Sequence, residues 1–336
     1  MQTKDLKTLC LAGGVGQCRE AAEAALRLLQ PLTDEAYIDA KGNVIGIKRC
    51  GVANAPLLML EAHIDQIGFV VTRTDEDGFL WVDACGRADE RALAAQPVCV
   101  YTEEGVRQGV FCSTPPHLKQ ADTALPKTDA IGIDIGLQAG EQIPCGTFVG
   151  FAPRFEQNGQ QVCATSLDDR SGVYALLCAM EKIAQQPLPQ DIAVVFCAAE
   201  ELGCRNAGSV AAALQPQVAV AVDVSFAYVP GSLEHQCGRM GEGAMIGHSP
   251  CLDRALSLRL ERLAKQKGIA FQQEIMPETT GSDADTITVS GAGVRTALVS
   301  IPLKYMHTPI EQADLRDIEA VAELVAAFAC EGGDAV

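Results

Sequence analysis

The feature that most constrains this chain is a change of texture that begins near Val71 and ends near Gln161. Within that stretch, short apolar runs follow one another with only turns between them: DEDG at 75–78, EEG at 103–105 and QNG at 157–159. FLWVDA, PVCVYT, VRQGVFC, DAIGIDIG and TFVGFAP have the composition of strands, and no convincing helix separates them. The stretch reads as antiparallel β-structure, closed as a small barrel or sandwich. On either side the chain behaves differently. GQCREAAEAALRLLQ (16–30) has helical spacing, Asn43–Lys48 reads as a strand, and Pro56–Ala62 is a continuous apolar run suited to a strand buried on both faces. After Thr165 helix and strand alternate. SGVYALLCAMEKIAQQ, NAGSVAAAL, CLDRALSLRLERLAKQKG and ADLRDIEAVAELVAAFA read as helices; DIAVVFCAA, VAVAVDVSF, AFQQEIM and VRTALVSIP read as strands. Such alternation implies an α/β three-layer sandwich with a mainly parallel mixed sheet. The expected organisation is one discontinuous α/β domain, 1–70 and 162–336, interrupted by an inserted small β-barrel domain at 71–161.

Composition excludes several classes. The 336 residues suffice for about two domains. A net charge of −17 argues against nucleic acid, which needs clustered Lys and Arg, and suits a protein that collects divalent cations. No run approaches the ~18 apolar residues of a membrane span. The opening MQTKDLKTLCLAGG is too broken for a secretory signal, so the chain reads as cytoplasmic. The 14 cysteines form no C-x-x-C, and several sit in apolar runs, as in Val98-Cys99-Val100. They read as small buried hydrophobes in a reducing compartment.

In open α/β sheets, ligands gather at the carboxyl ends of the strands. The polar residues there are His63 and Asp65 after the first long strand, Asp168 before the helix at 171, Glu200 and Glu201 after DIAVVFCAA, Asp223 in VAVAVDVSF, and His307 after VRTALVSIP. Each has an ordinary reading alone: a core histidine, a helix cap, a solvated strand end. Taken together, His, Asp, Glu, Asp and His are the ligand chemistry of a two-metal hydrolase. The H-x-D spacing lets Asp65 stand behind His63, since residues i and i+2 of a strand share a face. Side chains of adjacent Glu200 and Glu201 diverge, so one can bind metal while the other serves as base. His117, His235 and His248 fall in predicted loops, with no ligand role favoured.

HIDQIGF (63–69), SLDDRSG (166–172), EELGCRNAG (200–208), DVSFAY (223–228), GSDADTI (281–287) and YMHTPIE (305–311) occur in this order, with PPHL (115–118) and IDIG (133–136) between them. The set resembles the dinuclear-metal tetrahedral aminopeptidases, also called glutamyl or deblocking aminopeptidases or "cellulase M", whose sheet is of the zinc-peptidase kind. The resemblance implies that His63 and Asp223 bind one metal and Glu201 and His307 the other. It further implies that Asp168 bridges both, that the Asp168–Asp169 peptide is cis, that Glu200 is the general base and that Asp65 supports His63. Peptides with a free N-terminus, two divalent ions (zinc, cobalt or manganese) and a twelve-subunit tetrahedral shell are implied in the same way. Two positions depart from the pattern: Gln66 stands where the family often has Glu, and Ala244 where it often has Pro.

Two other readings remain open on the residues. A glycoside hydrolase needs two carboxylates about 5–9.5 Å apart across a sugar bond, which adjacent glutamates do not naturally give. A non-catalytic metal-binding assembly protein on the same scaffold would be expected to lack a ligand or the base, and here neither is missing.

Overall fold

Four parallel strands form the centre of the molecule: Asp191–Cys197, Leu57–His63, Val218–Phe226 and Arg295–Leu303, in that spatial order. Two strands extend the first edge antiparallel, Val44–Lys48 and then Glu35–Ile38. At the other edge Ala244–His248 runs antiparallel to Arg295–Leu303, and Phe271–Ile275 completes an eight-stranded sheet. The coordinates are a computed structural model that describes residues 1–16, 19–115, 117–118, 127–138 and 140–332. Gln17 and Cys18 of the first expected helix, and Pro116 of the PPHL motif, lie outside the described residues.

The central strands are buried on both faces, and alternate side chains feed two cores. Leu58, Leu60, Val194, Phe196, Val220 and Val222 pack with the helices Thr3–Leu11, Arg19–Leu29, Leu167–Ile183, Arg254–Lys267 and Leu315–Glu331. Met59, Ala193, Val195, Cys197 and Ala219 face the other way, toward Ala207, Val210 and Ile287 of the helices Ala207–Leu214 and Ala284–Thr288. The result is the α/β three-layer sandwich that the alternation implied.

From Gly68 the chain leaves this sheet and builds a closed barrel of six strands: Gly68–Thr74, Leu80–Cys85, Ile133–Asp134, Gly105–Phe111, Pro97–Thr102 and Phe148–Phe151. Gly68 is required at the doorway, because a Cβ there would meet Val149 O at 2.6 Å and Val15 at 2.3 Å. The barrel has its own core around Phe69, whose ring stands edge-on to Phe111 at 5.0 Å and to Phe151 at 5.4 Å. Each such pair adds about 0.5–1.5 kcal/mol beyond burial.

Three details differ from the sequence reading. DAIGIDIG gives only the two-residue strand Ile133–Asp134, after a single 3-10 turn at Thr128–Ala130 that Glu90 holds through Thr128 N at 2.8 Å. The hairpin of Phe155–Asn158 and Gln161–Ala164 pairs outside the barrel with Glu311–Asp314. His248 closes a strand and sits 2.9 Å from Glu261, so it is no loop residue, whereas His117 is exposed and His235 lies in a short 3-10 turn.

Candidate metal centre

The cluster assembles where the parallel strands end. His63 is the last residue of its strand and stands in register with Cys197 on the neighbour. Beyond Cys197 the chain turns through Ala199, whose φ of 66° is left-handed, and presents Glu200 and Glu201. Asp223 lies in register with Ser300 on the next pair. Asp168 enters from the side, at a helix start whose φ/ψ are non-helical through Asp169, so regular helix begins at Arg170. The Asp168–Asp169 peptide is cis. His307 arrives on the loop after Arg295–Leu303, with φ of 62°. Ser166 and Tyr305 are also left-handed. Non-glycine residues in this region cost of order 1–3 kcal/mol each, and such costs concentrate at functional sites.

Asp168 is the hub. Its Oδ1 is 2.9 Å from His63 Nε2, and its Oδ2 is 3.3 Å from His307 Nε2. Glu201 Oε2 is 3.5 Å from the same His307 nitrogen. Asp223 Oδ1 is 3.8 Å from His63 Nε2. Two groups of donor atoms each fall within 4.8 Å of one another: His63, Asp168 and Glu201, and His63, Asp169 and Asp223. Asp65 stands behind His63, its Oδ1 3.5 Å from Nδ1. The same carboxylate accepts the Glu200 amide at 3.0 Å and the Glu201 amide at 3.3 Å, tying two strand ends together. His307 Nδ1 lies 3.1 Å from Arg87 O, which directs Nε2 into the cluster. Glu200 Oε1 accepts from the Cys204 thiol at 3.2 Å.

Electrostatics show what the cluster lacks. Burial pushes the Glu201 and Asp223 carboxyls well above the usual range and raises Glu200. Burial works against Asp168 too, but its two imidazoles hold it well below that range. His63 is disfavoured as a cation by burial, yet Asp168 and Asp65 raise it well above ordinary histidine. Two imidazoles thus face more carboxylate than they can neutralise. His63 Nδ1 is buried, with Asp65 Oδ1 facing it at 3.5 Å. A mixed set of imidazole and carboxylate donors, short of positive charge, suits divalent cations.

His63, Asp168, Glu201, Asp223 and His307 all meet here, with Asp65 behind them and Glu200 beside them. Sequence reasoning missed two contributors. Asp169 places a carboxylate near Asp223, with Oδ1 on Gly172 N at 2.9 Å and Oδ2 unpartnered. Glu311 accepts from the backbone of Asp168 and of His307. Both lie inside quoted motifs; Asp169 adjoins Asp168 in the sequence, whereas nothing local to Glu311 signals its role. Gln66 is buried, its Oε1 3.4 Å from Arg170 Nη2 and its backbone N–H donating to Gly14 O at 2.8 Å. Ala244 opens its strand, fully buried.

A three-layer α/β frame with an inserted barrel and a histidine–carboxylate cluster at its strand ends defines a metal-dependent hydrolase. The chain belongs to the M42 glutamyl aminopeptidase family, whose model matches residues 42–324. It is 35% identical to the lysyl aminopeptidase of Pyrococcus furiosus over 310 residues, covering 90% of this chain and 88% of that one. It is 27% identical to the glutamyl aminopeptidase of Lactococcus lactis, covering 80% and 79%. An aminopeptidase structure from the archaeon Desulfurococcus kamchatkensis superposes with a TM-score of 0.90 at 30% identity, covering 97% and 94%. The TET1 peptidase of Pyrococcus horikoshii, described as assembling into a tetrahedron or a large octahedral shell, superposes at 0.87 and 28%, covering 98% and 99%. The chain is therefore a metallo-aminopeptidase. Among the described residues no helix is long and apolar enough to cross a membrane.

Proposed function

We propose that this aminopeptidase works with two divalent cations, one held by His63 and Asp223, the other by Glu201 and His307, with Asp168 between them. The observation that carries the reading is the split carboxylate of Asp168, whose two oxygens face different histidines. When bound, such a pair of cations supplies Lewis acidity, lowering the proton affinity of water and stabilising charge on the scissile carbonyl oxygen. Zinc, cobalt and manganese all suit these donors.

Glu200 is the general base. The Cys204 thiol occupies its Oε1, which leaves Oε2 to take a proton from the attacking water and return it to the leaving amine. Asp65 sets the direction of that carboxylate by gripping the Glu200 amide. It also sets the ring of His63. Substrates are peptides with a free N-terminus, as the names of the relatives support.

Residues 71–161 form the inserted domain in this reading, and we assign them to self-association. The shells described for TET relatives support a tetrahedral dodecamer, which sedimentation of the purified protein would test; a monomer would end that part of the proposal. Residues 1–70 and 162–336 form the catalytic domain. The described cysteines are all unpaired, which supports a cytoplasmic setting.

The decisive experiment uses aminoacyl-nitroanilides. Chelation should abolish turnover, and zinc, cobalt or manganese should restore it. Glu200→Gln should lower kcat by about 10²–10⁴-fold with both catalytic cations retained. Wild-type turnover in that variant would remove Glu200 as the base, and chelator-insensitive activity would remove the metals.

A further inference from the structure

Beneath the catalytic cluster the same sheet carries a second group of donors that aminopeptidase chemistry does not use. Glu61 lies two residues before His63 on one strand, and Cys197 is in register with His63 on the neighbour. Both occupy the strand face that packs toward the helix Ala284–Thr288, and Asp283 immediately precedes that helix. Their exposures are 1%, 0% and 2%. Donor atoms from all three fall within 4.8 Å of one another. Glu61 Oε1 and both Asp283 carboxylate oxygens are buried without a hydrogen-bond partner.

We propose that Glu61, Cys197 and Asp283 form a further, structural divalent-cation site of zinc type, separate from the pair assigned to catalysis. Two fully buried acids facing each other require either a shared proton or a cation. One proton forms one O–H···O bond between the two acids. The Cys197 thiol can donate to Glu61, and one Asp283 oxygen is then left without a partner. A single cation can draw on the Cys197 sulfur, Glu61 Oε1 and both oxygens of Asp283, which satisfies all three orphaned oxygens and supplies four donors, at about 2.0–2.2 Å from oxygen and about 2.3 Å from sulfur. Cys197 gives up its thiol proton to solvent as the metal–sulfur bond forms. The chemistry of the donors also differs between the sites: the catalytic set offers only nitrogen and oxygen, whereas this one adds sulfur, the softer ligand that zinc accepts. Full burial leaves no room for substrate. The role is to pin the strands Leu57–His63 and Asp191–Cys197 to the segment before Ala284, and so to hold the ground on which His63 and Glu200 stand.

The test counts metals and looks for sulfur. Wild-type protein, purified without chelator, should hold three cations per subunit by elemental analysis. Cobalt-exchanged protein should show a thiolate-to-cobalt charge-transfer band in the near ultraviolet. Cys197→Ala should lose that band and one cation and keep the other two. His307→Ala should lose a catalytic cation and keep the band, so failure of the catalytic assignment and failure of this one are told apart. Two cations and no band in wild-type protein would overturn the proposal while sparing the catalytic pair. Persistence of the band in Cys197→Ala would overturn it as well, by placing the sulfur elsewhere. If Cys197→Ala does not fold, the wild-type stoichiometry decides, with Asp283→Asn as the second variant expected to lose the band.

Discussion

Glu311 holds the backbone of Asp168: its Oε2 accepts the Asp168 amide at 3.0 Å, while its Oε1 accepts the His307 amide at 3.1 Å. One buried carboxylate therefore sets the distance between Asp168 and one of the histidines it faces. Burial pushes the Glu311 carboxyl well above the usual range, as does the neighbouring Asp168, while the amides it accepts pull the other way. Glu311 itself opens the strand Glu311–Asp314, which is anchored by pairing with Gln161–Ala164. The small three-stranded sheet thus exists where the site needs a brace.

Glu311→Gln should keep the fold but offer only one acceptor for two amides. Loss of a group that orients metal ligands typically costs 10–100-fold in metal affinity. We expect a drop of about that size in competition titrations with a chelator, and a smaller change in KM. Unchanged affinity in a folded variant would show that Glu311 is packing alone.

Asp65 reaches three targets with one carboxylate: the His63 ring and the amides of Glu200 and Glu201. Asp65→Asn replaces one acceptor oxygen by an N–H donor that must face an amide or an imidazole. Metal affinity should fall by about 10–100-fold, and kcat should fall further than full metal loading can recover, because Glu200 loses its grip. If saturating zinc restores the wild-type kcat, Asp65 serves metal binding and not Glu200.

The Cys204 thiol at 3.2 Å from Glu200 Oε1 is a weak donor. Its loss should cost about 1 kcal/mol, or roughly fivefold in rate. Cys204→Ala should show this in kcat with KM and metal content unchanged, and Cys204→Ser should recover most of it. An equal loss in the Ala and Ser variants would point to packing of the Glu200–Cys204 turn.

Much of this architecture was legible because buried parallel strands leave unbroken apolar runs. Asp191–Cys197 is buried at every position, and the polar residues that follow such runs mark the site. His63, Glu200, Glu201 and His307 were visible for that reason. Glu61 was hidden by the same logic, since a single acid inside LLMLEAH reads as strand interior. Glu311 acts through a fold-back onto Asp168, 143 residues away in sequence, and no local pattern reports that distance. The edge strand Glu35–Ile38 alternates exposed and half-buried residues, too weak a signal over four residues. The barrel's existence was readable from its turns, but its strand ends depend on non-local closure: Phe148–Phe151 bridges Gly68–Thr74 and Pro97–Thr102.

That closure makes Phe69 the last test. It is fully buried, and its ring touches both Phe111 and Phe151. Phe151 also lines a small cavity with Asp168, Glu201 and Glu311, so the barrel core and the metal cluster share a wall. Phe69→Ala should cost about 3–5 kcal/mol, the usual range for a buried Phe truncated to Ala. The barrel core is a separate cluster from the sheet core, so the loss should be local. Hydrogen exchange should show faster opening of Gly68–Thr74 and Phe148–Phe151, while Leu57–His63 and Val218–Phe226 stay protected. Metal affinity should weaken as Phe151 loosens. Uniform acceleration of exchange across the sheet would mean that the barrel and the sandwich unfold as one unit, and intact metal affinity would mean that the shared wall carries no coupling.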